Sequence, residues 1–460
     1  MMPSATADSF SYNAAISVCG QCAQWQQASY FLHTMQRAHI MVDLITHNAT
    51  ISALMKASRW QQALSMFDAM PKAKVTQDAI SYNLIITACG ESNQWAEALM
   101  LLDAMPKAKV TPDVISYTSA ISACEKGGQW QVALTVFDAM ARVKVIPSTI
   151  TYNVTLCAVG NGGQWQKVLL LLGEMPKARV TPDVISYSSA ISAFEKGGQW
   201  QQALDLFLRM PKAKVTPNAI SYNATMSASE KGGQWQLALL LFEAMPKSKM
   251  APNVISYSSA IRACGNEGQW PRALIMLEAM PKARVIADVI SHSSAISACE
   301  KGSHWQQALN LFLAMPKARV IPDAVSYTSA FSACEKGGQW QQALDLFEAM
   351  QKAKLTPTVI SYSTTLRACE KGGQWQQALE LFEAMSLAEV TPNVVSYSSA
   401  ITAFQKCGQW QQALNLFEAM PKATVVPNLI SYKVTISACE KGSQWQLALM
   451  LFEAMRSANV

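Results

Sequence analysis

Histidine is scarce in this sequence, with five residues in 460 (His33, His39, His47, His292 and His304) and no common spacing between them. No H-x-E motif stands with a P-C-x-x-C partner, which excludes a zinc deaminase. No carboxylate cluster outside the periodic pattern suggests a metal-dependent nuclease. Among eleven cysteines there is one C-x-x-C, Cys19 with Cys22. It lacks a second pair at zinc-finger spacing, so no metal is expected and the thiols are read as free, in a reducing compartment. Half the residues are hydrophobic, yet no run approaches eighteen apolar residues, so neither a transmembrane helix nor a membrane partner is expected. Charge is nearly balanced at +6, with an isoelectric point near 8.7. That is below the value of about 9 that would by itself point to nucleic acid. The sequence therefore predicts no enzyme, no cofactor and no small-molecule substrate.

What the sequence has is a period of 35. Repeats start at 9, 44, 79, 114, 149, 184, 219, 254, 289, 324, 359, 394 and 429; twelve are complete and the thirteenth stops after 32 residues. All 13 tryptophans, from Trp25 to Trp445, occupy one place in this frame, and a methionine follows ten residues after each. A fixed period over the whole chain overrides the prior of three domains that its length would give.

Each unit reads as two helices. In the repeat beginning at Val184, Tyr187, Ala190, Ile191 and Phe194 follow the i, i+3, i+4, i+7 spacing of one helix face. Gly197 and Gly198 end that helix. A second face follows in Trp200, Ala203, Leu204, Phe207 and Met210, with Pro211 and Pro217 bracketing the connection to the next unit. Neither helix buries its stripe alone, so the expected fold is all-α: an α-solenoid superhelix of stacked helix–turn–helix repeats, with the tryptophans in its core. Eight cysteines share one place on the first helix with Phe194 and Phe404, which marks a buried packing site.

The stretch "VTPDVISYTSAISACEKGGQWQVALTVFDAM" at 110–140 resembles the pentatricopeptide repeat (PPR) consensus, and the resemblance extends over 9–460. Uniform 35-residue spacing is similar to the P class of that family. The organisation is then a short N-terminal extension at 1–8 followed by 13 repeats, the last truncated.

The resemblance implies that the fifth and last residues of each repeat together read one base of single-stranded RNA, as helical-repeat readers do. In order, the pairs are Asn13 with Asp43, Asn48 with Asp78, Asn83 with Asp113, Thr118 with Ser148, Asn153 with Asp183 and Ser188 with Asn218. They continue as Asn223 with Asn253, Ser258 with Asp288, Ser293 with Asp323, Thr328 with Thr358, Ser363 with Asn393 and Ser398 with Asn428. Lys433 lacks a closing partner. Uracil and guanine present an N–H donor that an acceptor-only carboxylate can pair with, whereas adenine and cytosine present a ring nitrogen that suits an amide donor. The implied string, from the 5′ end, is U, U, U, unassigned, U, A, C, G, G, unassigned, A, A. Helix capping alone would also explain Asp, Asn, Ser and Thr at the last position, and the fifth could be a solvated face.

Two further places follow from the resemblance. The second residue of each repeat, including Ile185, Ile220 and Ile255, would sandwich bases; ordinary core packing is the alternative. Nine lysines at the end of the first helix, including Lys196, Lys231 and Lys301, would approach phosphates; complementing the helix dipole is the alternative.

The function expected is a sequence-specific RNA-binding adaptor for organellar transcripts, acting in processing, stabilisation or translation, with RNA-processing proteins as further partners. A protein-interaction scaffold is the alternative. The resemblance implies a chloroplast, or else a mitochondrion. The eight residues before the first repeat contain no arginine and are too short for a transit peptide. With the unfinished last repeat, they suggest that the sequence belongs to a longer chain.

Overall fold

The structure, a computed structural model, describes residues 9–22, 24–38 and 40–458. The N-terminal extension at 1–8 lies outside these residues, as do Ala23, His39 and 459–460. Among the described residues there are 26 α-helices and no strand, two helices to every 35-residue repeat. None is long and apolar enough to cross a membrane. The chain divides into two compact units, Met1–Ala228 and Ser229–Val460.

The repeat beginning at Val184 shows how the sequence builds a hairpin. Its first helix is Val184–Lys196 and its second Trp200–Lys212. The first starts at Asp183, whose carboxylate accepts from the backbone N–H groups of Ile185 and Ser186 and so satisfies two otherwise unpaired donors. It stops at a glycine pair whose members do different things. Gly198 has φ +67°, the left-handed conformation that turns the chain. Gly197 leaves room, because a Cβ there would stand 2.5 Å from Cδ1 of Trp165 in the preceding repeat.

The second helix runs through Pro211 to Lys212, so this proline sits inside the last turn rather than outside it. It sacrifices one hydrogen bond near a helix end, where few remain to be lost. The turn closes one residue later than the prolines suggest. Lys214 adopts φ +59°, its N–H donates to the Pro211 carbonyl, and Val215 N–H donates to Met210. A lysine there carries a strain of about 1 kcal/mol that glycine would not.

In unit 1, the buried core takes Ala190, Ile191 and Phe194 from the first helix and Ala203, Leu206, Phe207 and Met210 from the second. Leu206 is buried where the spacing favours Leu204, which is half-exposed. In unit 2, the same positions are held by Ile296, Cys299, Phe312 and Met315 and their repeats. The eight aligned cysteines are all buried, as are Phe194 and Phe404.

Within each unit, stacking is carried by contacts from one repeat to the next. Phe207 meets Tyr222 edge to face with centroids 4.8 Å apart, and Phe347 meets Tyr362 at the same distance. Such pairs are worth about 0.5–1.5 kcal/mol beyond the area they bury. First helices pack closely against first helices of the neighbouring repeat, whereas second helices stand further apart and meet through long side chains, as where Lys167 lies over the Trp130 ring at 4.5 Å. Within each unit the first helices therefore form one closely packed layer. The tryptophans sit at the margin of the core rather than inside it: all but the exposed Trp445 are half-buried, and Trp95, Trp130, Trp165, Trp270, Trp305, Trp340 and Trp410 lie as lids over the next repeat's first glycine.

Candidate functional site

The last residue of a repeat is the N-cap of the next first helix. Asp43, Asp78, Asp113, Ser148, Asp183, Asn253, Asp288, Asp323, Thr358, Asn393 and Asn428 each accept a backbone N–H two or three residues on. Capping is thus real, and it consumes only part of each side chain. Asp183 Oδ1 takes Ile185 N–H at 3.0 Å and Ser186 N–H at 2.9 Å. Its Oδ2 receives only the Asn153 amide, at 3.3 Å.

That amide belongs to the fifth residue of the same repeat, 30 positions earlier. Asn153 Nδ2 also donates to Asp183 Oδ1 at 3.0 Å; Asn83 donates to Asp113 at 3.2 Å and Asn13 to Asp43 at 3.4 Å. In these three repeats the fifth and last residues therefore meet as a pair, a proximity that the one-dimensional frame does not contain. Burial pushes the carboxyls of Asp43, Asp113 and Asp183 up, but backbone and side-chain donors, the paired asparagine among them, outweigh it. The three carboxyls end below their ordinary value, ionised at neutral pH.

Serine and threonine at the fifth position behave differently. Each turns its hydroxyl back onto its own helix, as in Ser188 to Val184 O at 2.6 Å, Ser258 to Val254 O at 2.8 Å and Thr328 to Ala324 O at 2.7 Å. Withdrawn in this way, the short side chain leaves space beside the last residue. The asparagine instead fills that space and reaches the cap.

The second residue decides between core and surface. All thirteen are exposed, from Val395 at 38 % to Phe10 at 80 %, so the core alternative fails. In unit 1 a groove of about 510 Å³ is lined by Ile185, Ser188, Lys196, Asn218 and Ile220, with Asn161 and Glu195 at its side. Second-position residues of two successive repeats thus stand on one groove with the fifth and last residues between them. Grooves of similar size on the second-helix side, such as that of Trp305, Leu309, Leu313 and Gln342, contain none of the candidate residues.

The lysines form a ladder with the preceding repeat. Lys336, Lys371 and Lys406 pair with Glu300, Glu335 and Glu370 at 2.8, 3.2 and 3.2 Å. Lys196 and Lys301 instead donate to the neutral Asn161 and Asn266 at 2.7 and 2.8 Å. Exposed pairs of this kind are worth up to about 1 kcal/mol. No group of three or more His, Cys, Asp or Glu side chains among the described residues could hold a metal ion.

One position escapes the sequence reasoning. The third residue of every repeat is serine or threonine, and the twelve from Thr46 to Ser431 are buried. The hydroxyls of Thr46, Ser81, Thr151, Ser186, Ser291 and Ser396 reach the fifth residue of the repeat before. The signal was available as an uninterrupted hydroxyl column at the 35-residue period.

The model of the PPR repeat family matches residues 42–89, 77–126, 112–161, 147–196, 182–230, 217–266, 325–371 and 392–441. A single-repeat model matches 255–285, 360–389 and 430–460. The crystal structure of the pentatricopeptide repeat protein PPR10 from maize is similar at 22 % identity, over 98 % of this chain and 69 % of that one, with a TM-score of 0.55. PPR10 in complex with an 18-nt psaJ RNA element is similar at 17 % identity, over 99 % and 80 % of the two chains, with a TM-score of 0.57. At these identities the likeness is one of fold. No curated protein matches the sequence.

Proposed function

The chain belongs to the pentatricopeptide repeat family, and from that membership we propose that it is a sequence-specific adaptor that binds single-stranded RNA, one base per repeat. The observation that carries the reading is the groove that brings Ser188 and Asn218 together with the exposed Ile185 and Ile220 of successive repeats, alongside the direct contact of fifth and last residues in the Asn–Asp repeats. A base inserted between Ile185 and Ile220 would have apolar contact on both faces and the Ser188–Asn218 pair at its edge. PPR10, of like fold, is seen with an 18-nt RNA element, which supports the same ligand here. The spare carboxylate oxygen of Asp183 suits a uracil N3–H, and the amide of Asn218 suits the ring nitrogen of adenine.

Binding without chemistry makes the protein act by occupancy: shielding a transcript end, remodelling a leader or recruiting processing proteins. The uniform 35-residue units support the P class. An organellar transcript, in the chloroplast before the mitochondrion, is the target we propose, on the habit of the family. Selection from a randomised RNA pool with the purified chain tests the reading. Enrichment of U-U-U-N-U-A-C-G-G-N-A-A, in whole or in a run of its central bases, is expected. Enrichment of an unrelated motif, or none, overturns it.

A further inference from the structure

We propose that the serine or threonine at the third place of a repeat, where its hydroxyl reaches the fifth residue of the repeat before, is a positioning residue that sets the base-reading pair of that preceding repeat. The inference rests on the RNA reading and adds a residue to it.

Ser186 shows the arrangement. Its hydroxyl oxygen accepts the Asp183 backbone N–H at 3.1 Å. The same hydroxyl donates to Asn153 Oδ1 at 2.5 Å and also lies 3.0 Å from Asp183 Oδ1. Asn153 Nδ2 completes the ring by donating to Asp183. A primary amide has one acceptor end and one donor end, and a carboxylate can only accept. With the hydroxyl on Oδ1, the amide has a single orientation, Nδ2 towards the carboxylate. Without it, nothing described in the structure fixes that oxygen. The same donation joins Thr46 to Asn13 at 2.6 Å and Ser81 to Asn48 at 2.8 Å.

Three repeats with a fifth serine or threonine use the position too. Thr151 meets Thr118 at 2.8 Å, Ser291 meets Ser258 at 3.0 Å and Ser396 meets Ser363 at 3.0 Å. One hydroxyl thus ties together two residues that lie 30 positions apart. The link is not universal: Ser188, Ser293, Thr328 and Ser398 turn their hydroxyls to their own helix carbonyls alone, and Asn83 Oδ1 is buried with no partner while Ser116 gives its hydroxyl to Asp113.

A plain capping role would also bury these hydroxyls, since Ser186 completes a capping box with Asp183. The two roles separate in their effect on specificity. Ser186→Ala and Ser186→Thr would be made in the full chain and titrated against oligonucleotides that differ only at the fifth base. Oligonucleotides changed at the first, second and ninth bases serve as internal controls. The alanine variant should lower the U-to-C ratio at the fifth base by about fivefold, the worth of one hydrogen bond, and leave the control ratios unchanged. Threonine, which holds this place at Thr46 and Thr151, should restore the ratio. An affinity that falls equally for every oligonucleotide, or a ratio unmoved by alanine, overturns the proposal and leaves a cap. If the wild type itself shows no preference at the fifth base while binding RNA, base reading by this pair fails, and the positioning role falls with it.

Discussion

Replacing Asp183 by asparagine separates base reading from helix capping at one atom. In the wild type, Oδ1 carries the structural work, with Ile185 N–H, Ser186 N–H and Asn153 Nδ2 at 3.0, 2.9 and 3.0 Å. An asparagine Oδ1 can take over all of these, as Asn253 and Asn393 do when they accept Ser256 and Ser396 N–H at 3.0 and 2.9 Å. What changes is Oδ2, which becomes an NH₂ group facing the Asn153 amide across 3.3 Å. That contact is long, so the loss of stability should stay within about 1 kcal/mol. On the proposed reading the inversion at the RNA is complete: uracil N3–H would lose its acceptor and cytosine N3 would gain a donor. Base discrimination on DNA sets the scale at about 1–3 kcal/mol, or about five- to 150-fold in the U-to-C ratio. The assay is a pair of fluorescence anisotropy titrations, wild type and variant, against oligonucleotides differing only at the fifth base, alongside a thermal melt of each protein. Identical ranking of U and C by the two proteins would refute the reasoning and return Asp183 to a cap alone.

Three other predictions follow from particular contacts. Gly197→Ala drives a Cβ to 2.5 Å from Trp165 and should cost about 1–3 kcal/mol. Gly173→Ala, inside the helix Trp165–Lys177 with nothing within 4 Å, should instead gain about 0.5–1 kcal/mol; melting midpoints moving the same way in both variants would contradict the assignment. Changing Lys196, Lys231 and Lys301 together to alanine should flatten the log affinity against log salt plot by about two units if they meet phosphates. The ion-paired Lys336 and Lys371 should contribute less than Lys196 and Lys301, whose partners are neutral asparagines, and equal slopes for the double variants Lys196→Ala/Lys301→Ala and Lys336→Ala/Lys371→Ala would count against that difference. Burial pushes the Cys334 and Cys369 thiols up to about 12, so iodoacetamide at pH 8 should label the exposed Cys22 and spare these two until denaturant is added. Equal labelling rates in the folded protein would sink this.

The architecture was legible in the sequence because it is written once per repeat. The 3.6-residue stripes marked both helices, the shared Cys and Phe place marked a core site, and the Asp/Asn/Ser/Thr alphabet marked a cap. Each of these depends on neighbours a few residues away along the chain, and local spacing suffices to read them. Membership of the repeat family was legible for the same reason. The site was legible as a set of positions, not as an arrangement. That Asn153 touches Asp183 across 30 residues, that Ser186 reaches back 33 to Asn153, and that Lys336 reaches back 36 to Glu300 are offsets between stacked helices. A sequence with a strict period looks the same whichever of these offsets packing selects. Burial was undecided for the same reason. A β-branched residue at the start of a helix suits core or surface, and only the close packing of first helix on first helix turns the second residue outward and the third inward. The tryptophans lie at one place in every repeat, and the role of those such as Trp165 as lids was set by the glycine of the following repeat, whose missing side chain makes space that only the folded stack reveals.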